Sequence, residues 1–183
     1  MPVFRFRSSY IIPAIAVASV LSVGFLWALK LFGFRINVSN SLPPGLYRSY
    51  GERGQWKRGQ IVGLCPPDSS FLRQLKQHKQ VYGGGCPGNY MVWMKPVVAI
   101  AGDTVDVSRN GVSVNGHLIG NSKPFKQTPT GLKLPQIEGH YVVQPQTVWL
   151  VSNYNPKSID SRYLGAISTR QLQRPVVPVI VFP

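Results

Sequence analysis

The sequence predicts a mostly β, antiparallel domain with one or two short helices, preceded by one N-terminal transmembrane helix. An uncharged apolar run of membrane-spanning length lies near the N-terminus, and short runs rich in valine, isoleucine and aromatic residues follow it. Turn residues separate these runs, since the 183-residue chain contains 18 Gly and 16 Pro. This composition disfavours a helical bundle, and the length is sufficient for one domain with a hydrophobic core.

The apolar run from Ile11 to Leu29 has nineteen residues without a charge, which is enough to cross a bilayer. Pro13 lies in its first turn, where a helix tolerates proline. A cleaved signal peptide would have a shorter apolar region followed by a small-residue cleavage site, whereas Lys30-Leu-Phe-Gly-Phe follows here. We therefore predict a cytoplasmic basic tail at 1–8 and an uncleaved transmembrane anchor at 9–31.

Two cysteines, Cys65 and Cys86, favour an exported domain. Basic residues flank the apolar run on both sides, so the positive-inside rule gives little orientation. An even pair of cysteines suggests a disulfide in an oxidising compartment; the alternative is two free buried thiols in a cytosolic domain. A zinc site is disfavoured because the three histidines lack ligand spacing. We predict a Cys65–Cys86 disulfide and an exported domain at residues 34–183, behind the membrane anchor.

Runs of β-branched and aromatic residues bounded by turn residues predict the strands of this domain. Asn110-Gly111 is a strong hairpin signal between two such runs, and Asn115-Gly116 indicates the next turn. The predicted strands are 60–65, 90–101, 104–108, 112–114, 140–143, 147–151 and 176–182.

One amphipathic helix is predicted at residues 68–79, between the first two strands. Asp68 or Ser69 can cap its start, because a short polar side chain accepts a hydrogen bond from a free backbone N–H. Leu72 and Leu75 lie on one face, which we expect to pack on the sheet.

The chain is strongly basic, with 20 Lys and Arg against 6 acidic residues and a net charge of +14. Such a surplus indicates an anionic partner, either nucleic acid or an anionic membrane surface. The sequence has no helix-turn-helix pattern, no zinc-finger spacing and no aromatic-basic ribonucleoprotein signature. We therefore assign the basic surface to lipid headgroups and expect no nucleic-acid partner.

A serine and a lysine form the candidate catalytic pair. Ser41 lies in the Pro- and Gly-rich stretch Asn37–Tyr47, and Lys95 stands among apolar residues of a predicted strand. Burial disfavours an ammonium and lowers the pKa of lysine from its usual value of about 10.4, so a buried lysine can act as a base. A Ser-His-Asp triad lacks support, because there are three histidines and no Gly-x-Ser-x-Gly. Each residue alone has a commoner role, as a turn serine or as a lysine at a strand edge.

Four motifs that occur in one order favour the catalytic assignment of Ser41 and Lys95. After the apolar run come Ser39-Asn-Ser41-Leu-Pro, Arg58-Gly-Gln-Ile-Val, Lys95 followed by Gly102-Asp103, and Ser158-Ile-Asp-Ser-Arg-Tyr-Leu-Gly165. The chain resembles the type I signal peptidases, serine proteases with a Ser-Lys dyad on an all-β fold. More narrowly, the form of residues 37–47 and the cysteine pair resemble their conjugative-transfer branch, the TraF-type peptidases.

The resemblance implies a signal-peptidase-type β fold and a role for each matching residue. Ser41 would be the nucleophile, and Lys95 would be the general base that later protonates the leaving amine. The backbone N–H of Ser41 and the hydroxyl of Ser39 would form the oxyanion hole. Ser158 would hydrogen-bond the lysine amine and orient it.

The resemblance also implies that Asp160 and Arg162 pair and brace the loop that carries Ser158. Two departures from the family pattern stand near these residues. Pro96 follows the lysine where a basic residue is usual, and Ser152-Asn-Tyr154 replaces the usual Gly-Asp-Asn. Because proline cannot donate to a ladder, we expect the lysine strand to lie at an edge or a bulge there.

The function implied is that of a membrane-anchored endopeptidase that removes a leader or terminal peptide from exported proteins. The expected substrate is the pilin precursor of a conjugative transfer or type IV secretion system. The acyl-enzyme would be resolved by water, or by a peptide amine that cyclises the pilin. Expected partners are a protein substrate, membrane lipid and the conjugation machinery, with no cofactor and no metal. The alternatives are a general leader peptidase and a catalytically degenerate scaffold of the conjugation apparatus.

Overall fold

The computed structural model describes residues 11–39 and 41–182, and these form a mostly β domain behind one long N-terminal helix, as the sequence predicts. The basic tail predicted at residues 1–8 lies outside the described residues. In chain order the elements are α1 (Ile11–Leu31), β1 (Phe34–Asn37), β2 (Gly45–Ser49), β3 (Ile61–Leu64), α2 (Ser70–Gln77), β4 (Trp93–Ala99), β5 (Thr104–Ser108), β6 (Gly111–Val114), β7 (His117–Leu118), β8 (Gly139–Val142), β9 (Thr147–Leu150), α3 (Ser161–Leu164), β10 (Ile167–Ser168) and β11 (Leu172–Val181).

The strands form two antiparallel sheets. The larger has seven strands in the order β1-β2-β11-β3-β4-β9-β10, and the smaller has four in the order β7-β6-β5-β8. Buried valine side chains of the smaller sheet pack with Ala99 of β4 and Trp149 of β9. Because these two residues belong to the larger sheet, this group of side chains joins the two sheets into one packed unit.

The predicted strands are present, with ends that differ by at most four residues. β5 and β6 pair Ser108 with Gly111 and Val107 with Val112, so Arg109 and Asn110 form the two-residue hairpin turn. The sequence did not predict β1, β2, β7, β10 or α3. Each of these has only two to five residues, and their positions depend on pairing or capping partners elsewhere in the chain.

The 20-residue segment Ile12–Leu31 of helix α1 is long and apolar enough to cross a membrane. Its side chains are exposed on every face except near its C-terminal end. A helix that is apolar all round and covers no core is typical of a segment that is solvated by lipid.

A second apolar surface lies at the far end of β11. Consecutive residues from Val177 to Phe182 are exposed, although all are apolar. The N–H of Phe182 donates to the Pro44 carbonyl at 2.8 Å, which places this end of the strand beside the loop between β1 and β2. Contiguous exposed apolar residues of this kind mark a surface that is covered in the native environment.

Helix α2 is held by its cap and by a disulfide. The Ser69 hydroxyl accepts a hydrogen bond from the Leu72 N–H at 3.2 Å, so Ser69, and not Asp68, is the N-cap. Leu72 and Leu75 are buried against Tyr90. The predicted Cys65–Cys86 disulfide is present, with the Cα atoms 5.4 Å apart, and it joins the end of β3 to the loop that follows α2.

Strand β4 lies in the interior of the larger sheet, between β3 and β9, so of the two positions expected for Pro96, an edge or a bulge, the edge is excluded. Pro96 pairs with Ile61 of β3, but on the other side the ladder with β9 begins at Val97 opposite Leu150. The missing N–H of Pro96 therefore falls just beyond the end of β9. A register shift follows between Val97 and Ala99, consistent with the expected irregularity.

We expect removal of the disulfide to destabilise the domain without rearranging the two sheets. The bridge closes a segment with a sequence separation of 21 residues, and a loop of this size is worth about 3 kcal/mol. The double variant Cys65→Ser with Cys86→Ser should lower the midpoint of denaturant unfolding. Wild-type protein measured with reductant should show the same shift, and an unchanged midpoint in both would contradict a stabilising role.

Candidate active site

Three side chains from distant parts of the chain meet at one point. The Lys95 amine donates hydrogen bonds to the hydroxyl of Ser41 and, at 2.6 Å, to the hydroxyl of Ser158. The two hydroxyl oxygens are 3.3 Å apart. Lys95 is buried in the centre of β4, with 2% of its surface exposed. The structure therefore brings together the predicted nucleophile, base and orienting serine.

Ser41 lies in the tight loop between β1 and β2. Pro43 and Pro44 stiffen this loop, and the Tyr47 hydroxyl donates to the Pro43 carbonyl at 2.7 Å. Gly45, which begins β2, has a φ of +153°. A side chain on Gly45 would overlap the carbonyl of Ile180 in the neighbouring strand, so only glycine lets β11 approach the serine loop this closely.

The Ser39 hydroxyl already has a hydrogen-bond partner within the loop that carries Ser41. It donates to the side-chain oxygen of Asn37 at 2.8 Å, and the Ser39 N–H donates to the same oxygen at 3.1 Å. A contribution of Ser39 to an oxyanion hole would therefore require its hydroxyl to rotate when substrate binds.

Asp160 and Arg162 form a fully buried ion pair behind Ser158. The guanidinium makes two hydrogen bonds of 2.8 Å to the carboxylate, and it donates to the carbonyls of Pro156 at 2.8 Å and Ser158 at 3.0 Å. A buried charge is tolerated when it is paired and hydrogen-bonded in this way. The pair thus fixes the backbone that presents the Ser158 hydroxyl to Lys95.

Ser152 belongs to this network, although the sequence indicated it only as a departure from the usual Gly-Asp-Asn. Its N–H donates to the Asp160 carboxylate at 3.0 Å, and its hydroxyl donates to the Ser41 carbonyl at 2.6 Å. No sequence signal indicated this residue as a contact of Ser41, because 111 positions separate the two.

A family model for "Signal peptidase, peptidase S26" matches residues 7–179. The chain belongs to this signal peptidase family. The resemblance to signal peptidases found in the sequence is thereby confirmed. The narrower resemblance, to the TraF-type branch, is confirmed by the relatives described next, which are TraF proteins.

The signal peptidase relatives include a "Plasmid transfer protein TraF" of Escherichia coli, 33% identical over 156 residues that cover 85% of this chain and 87% of that protein. A "Conjugal transfer protein TraF" of Agrobacterium fabrum is 29% identical over 172 residues, 94% of this chain and 96% of that protein. Among solved structures, a signal peptidase I from Enterococcus faecalis aligns with a TM-score of 0.40 and 16% identity, over 68% of this chain and 98% of that one.

The surroundings of Lys95 in this member of the signal peptidase family make the neutral form of the amine more accessible than it is in an exposed lysine. Burial lowers the pKa of the Lys95 amine to about 8; the Asp160 carboxylate opposes the shift and the Arg162 guanidinium adds to it. The amine also lies 5.6 Å from the centre of the Trp93 ring. At mildly alkaline pH a large fraction of Lys95 is therefore unprotonated and able to accept a proton.

A cleft of about 360 Å³ opens onto the Ser41 and Lys95 side chains. Its walls include Val38, Tyr82, Met91, Trp93 and Ile159. Polar groups, among them the Ser41, Lys95 and Ser158 side chains, line the rest of the cleft. A cleft in which apolar walls surround convergent polar groups is typical of a site that binds part of a substrate.

The depressed pKa of Lys95 predicts that this lysine destabilises the fold at neutral pH. The shift of the Lys95 pKa from 10.5 to about 8 means that burial of the protonated amine lowers the free energy of unfolding by about 3 kcal/mol. Lys95→Met should therefore raise the free energy of unfolding at pH 7. Between pH 8 and 10.5 the unfolded state binds more protons than the folded state, so the free energy of unfolding of the wild type rises with pH. The stability difference between Lys95→Met and wild type should therefore shrink over this range.

Thermal unfolding in detergent at several pH values measures this difference. Lys126→Met, at an exposed position, is the matched control and should give no such pH-dependent gain. A Lys95→Met variant that is less stable than wild type at pH 7 would contradict the prediction.

Proposed function

We propose that this protein is a membrane-anchored serine endopeptidase in which Ser41 is the nucleophile and Lys95 is the general base. The observation that carries the proposal is the contact of the buried Lys95 amine with the hydroxyls of Ser41 and Ser158. A lysine with a pKa of about 8 has the property that a general base at near-neutral pH requires. Membership of the signal peptidase family supports the same chemistry.

In the proposed mechanism, the neutral Lys95 amine donates one N–H to Ser158 and directs its lone pair at the Ser41 hydroxyl. Lys95 removes the hydroxyl proton as the Ser41 oxygen attacks the scissile carbonyl. The Ser41 N–H, together with a rotated Ser39 hydroxyl, stabilises the oxyanion. The Lys95 ammonium then protonates the leaving amine, which leaves an acyl-Ser41 intermediate.

The location we propose is the inner membrane, with α1 within the anchor at 9–31 and residues 34–183 in the periplasm. The disulfide supports an oxidising compartment. The exposed apolar end of β11 and the net charge of +14 suit an interface with anionic headgroups. Ser41 follows Leu31, the last residue of α1, by a chain that spans at most about 36 Å, so the site stays near the bilayer surface.

The substrate we propose is an exported pilin precursor of a conjugative transfer or type IV secretion apparatus. The supporting observation is that the relatives over most of the chain are plasmid and conjugal transfer proteins. Hydrolysis of the acyl-enzyme would release a trimmed pilin. Attack by the pilin's own amine would instead join its termini, with no additional water consumed.

We expect the wild-type protein, co-expressed with the pilin precursor of its own transfer system, to shorten that precursor. Ser41→Ala removes the nucleophile, and Lys95→Arg replaces the base with a guanidinium that stays protonated. Both should abolish cleavage, with activity at least about a hundredfold below wild type. Intact mass spectrometry of the pilin measures the result, and a product lighter by one further water indicates cyclisation.

Lys126→Arg, which makes the same exchange at an exposed position, should retain full activity. Cleavage by the Lys95→Arg variant would remove Lys95 from the mechanism. If the wild type leaves the pilin unchanged but processes unrelated secretory precursors, the protein is a general leader peptidase. If it processes neither, a scaffold role is favoured.

The pH dependence of kcat/KM should have a single ascending limb with a midpoint near 8, followed by a plateau. Below that pH the Lys95 amine is protonated and cannot accept the Ser41 proton; above it the neutral base predominates. A substrate without groups that titrate between pH 6 and 10 isolates this effect. A profile that is constant from pH 6.5 to 9.5 would exclude Lys95 as the titrating base.

A further inference from the structure

The backbone on both sides of Ser41 is held by one buried amide side chain. Asn37, at the end of β1, is 4% exposed. Its Nδ2 group donates to the carbonyls of Ser39 at 3.1 Å, Leu42 at 3.0 Å and Pro43 at 3.1 Å. Its Oδ1 atom accepts the N–H and the hydroxyl of Ser39. Asn37 therefore uses both ends of its amide on the loop that carries Ser41.

The backbone after Ser41 is held from the opposite side of the site. Ser152, fully buried, donates its hydroxyl to the Ser41 carbonyl at 2.6 Å. The same hydroxyl oxygen accepts the N–H groups of Tyr154 at 3.3 Å and Asn155 at 3.4 Å. Ser152 thus contacts both the Ser41 peptide and the turn that leads to Ser158.

We propose that Ser152 and Asn37 are positioning residues that together hold the Ser41 loop in its reactive geometry, and that Ser152 couples this loop to the Asp160–Arg162 pair. The inference rests on the proposed peptidase function. Neither residue contacts the Lys95 amine in the described structure; both act on the backbone that presents the nucleophile to it.

The physical reason is that the Ser41 and Ser158 hydroxyls must both stay within hydrogen-bond distance of one buried amine. The Ser152 N–H binds Asp160, whose partner Arg162 binds the Ser158 carbonyl. One network therefore sets the separation of the two hydroxyls. Without the Ser152 hydroxyl the Ser41 carbonyl loses its partner, and a displacement of about 1 Å in a reacting group can reduce the rate about a hundredfold.

A neutral exchange at Ser152 tests the inference in the full-length protein in detergent. Ser152→Ala should lower kcat for pilin cleavage about ten- to hundredfold, while KM stays within about twofold and the midpoint of the pH profile does not move, because the Lys95 environment is kept. Ser152→Thr, which retains the hydroxyl, should recover most of kcat. Ser122→Ala is the matched control, since Ser122 is equally buried and also bonds to backbone, but in the smaller sheet.

A second measurement is independent of activity. Amide hydrogen exchange of the segment 37–47 should be faster in Ser152→Ala than in wild type and unchanged in Ser122→Ala. Wild-type kcat and unchanged exchange in Ser152→Ala would overturn the inference, as would an equal loss of kcat in Ser122→Ala. If the wild type cleaves neither pilin nor secretory precursors, the proposed peptidase function fails, yet the exchange result still decides whether Ser152 holds the loop.

A double-mutant cycle tests whether the two residues act as one unit. Asn37→Ala and Ser152→Ala should each lower kcat, and the double variant should lose less than the product of the two single losses, because the loop is already released. Purely multiplicative losses would show that the two residues act separately and would contradict a shared hold on Ser41.

Discussion

Burial of the Lys95 amine is the constraint on which the rest of the site depends. An ammonium in the centre of a packed sheet is costly, and the partners described for Lys95 are two hydroxyl groups, with no carboxylate in contact. The site thus holds a lysine for which the neutral form is accessible. An ion pair with a carboxylate would have kept the lysine charged, whereas two serines orient it without fixing its charge.

The charged groups of the site, Asp160 and Arg162, lie behind the serines and do not touch the Lys95 amine in the described structure. Asp160 and Arg162 are both fully buried and satisfy each other and the surrounding carbonyls. Because their effects on the pKa of Lys95 oppose one another, the pair can stiffen the site without restoring the positive charge of the amine. Ser152 extends the same network to the Ser41 loop, so both hydroxyls depend on one buried ion pair.

Much of the fold was predictable because its signals are local. Asn110-Gly111 predicted the β5–β6 hairpin to within one residue, and Asn115-Gly116 forms the two-residue turn between β6 and β7. The uncharged run from Ile11 predicted α1 by its length. β1 and β2 were not predicted because they are short and flank a Pro-Pro-Gly loop; pairing with each other and with β11 makes them strands. Between the two positions expected for Pro96, an edge or a bulge, the sequence could not choose, because the rule concerns one missing N–H. Whether the missing N–H leaves a carbonyl of the neighbouring strand without a donor depends on where β9 ends.

The sequence by itself determined the chemical groups: the serine beside an apolar helix, the lysine in an apolar strand, the cysteine pair and the order of the motifs. Residue type and spacing are sufficient for this, because the identity of a side chain and the length of an apolar run are local properties. Only the tertiary structure decided that Lys95 is enclosed rather than at a strand edge, that the Ser39 hydroxyl donates to the Asn37 side chain, and that Ser152 contacts Ser41. These facts depend on burial and on contacts between segments up to 117 positions apart, which pairing and packing of the sheets create.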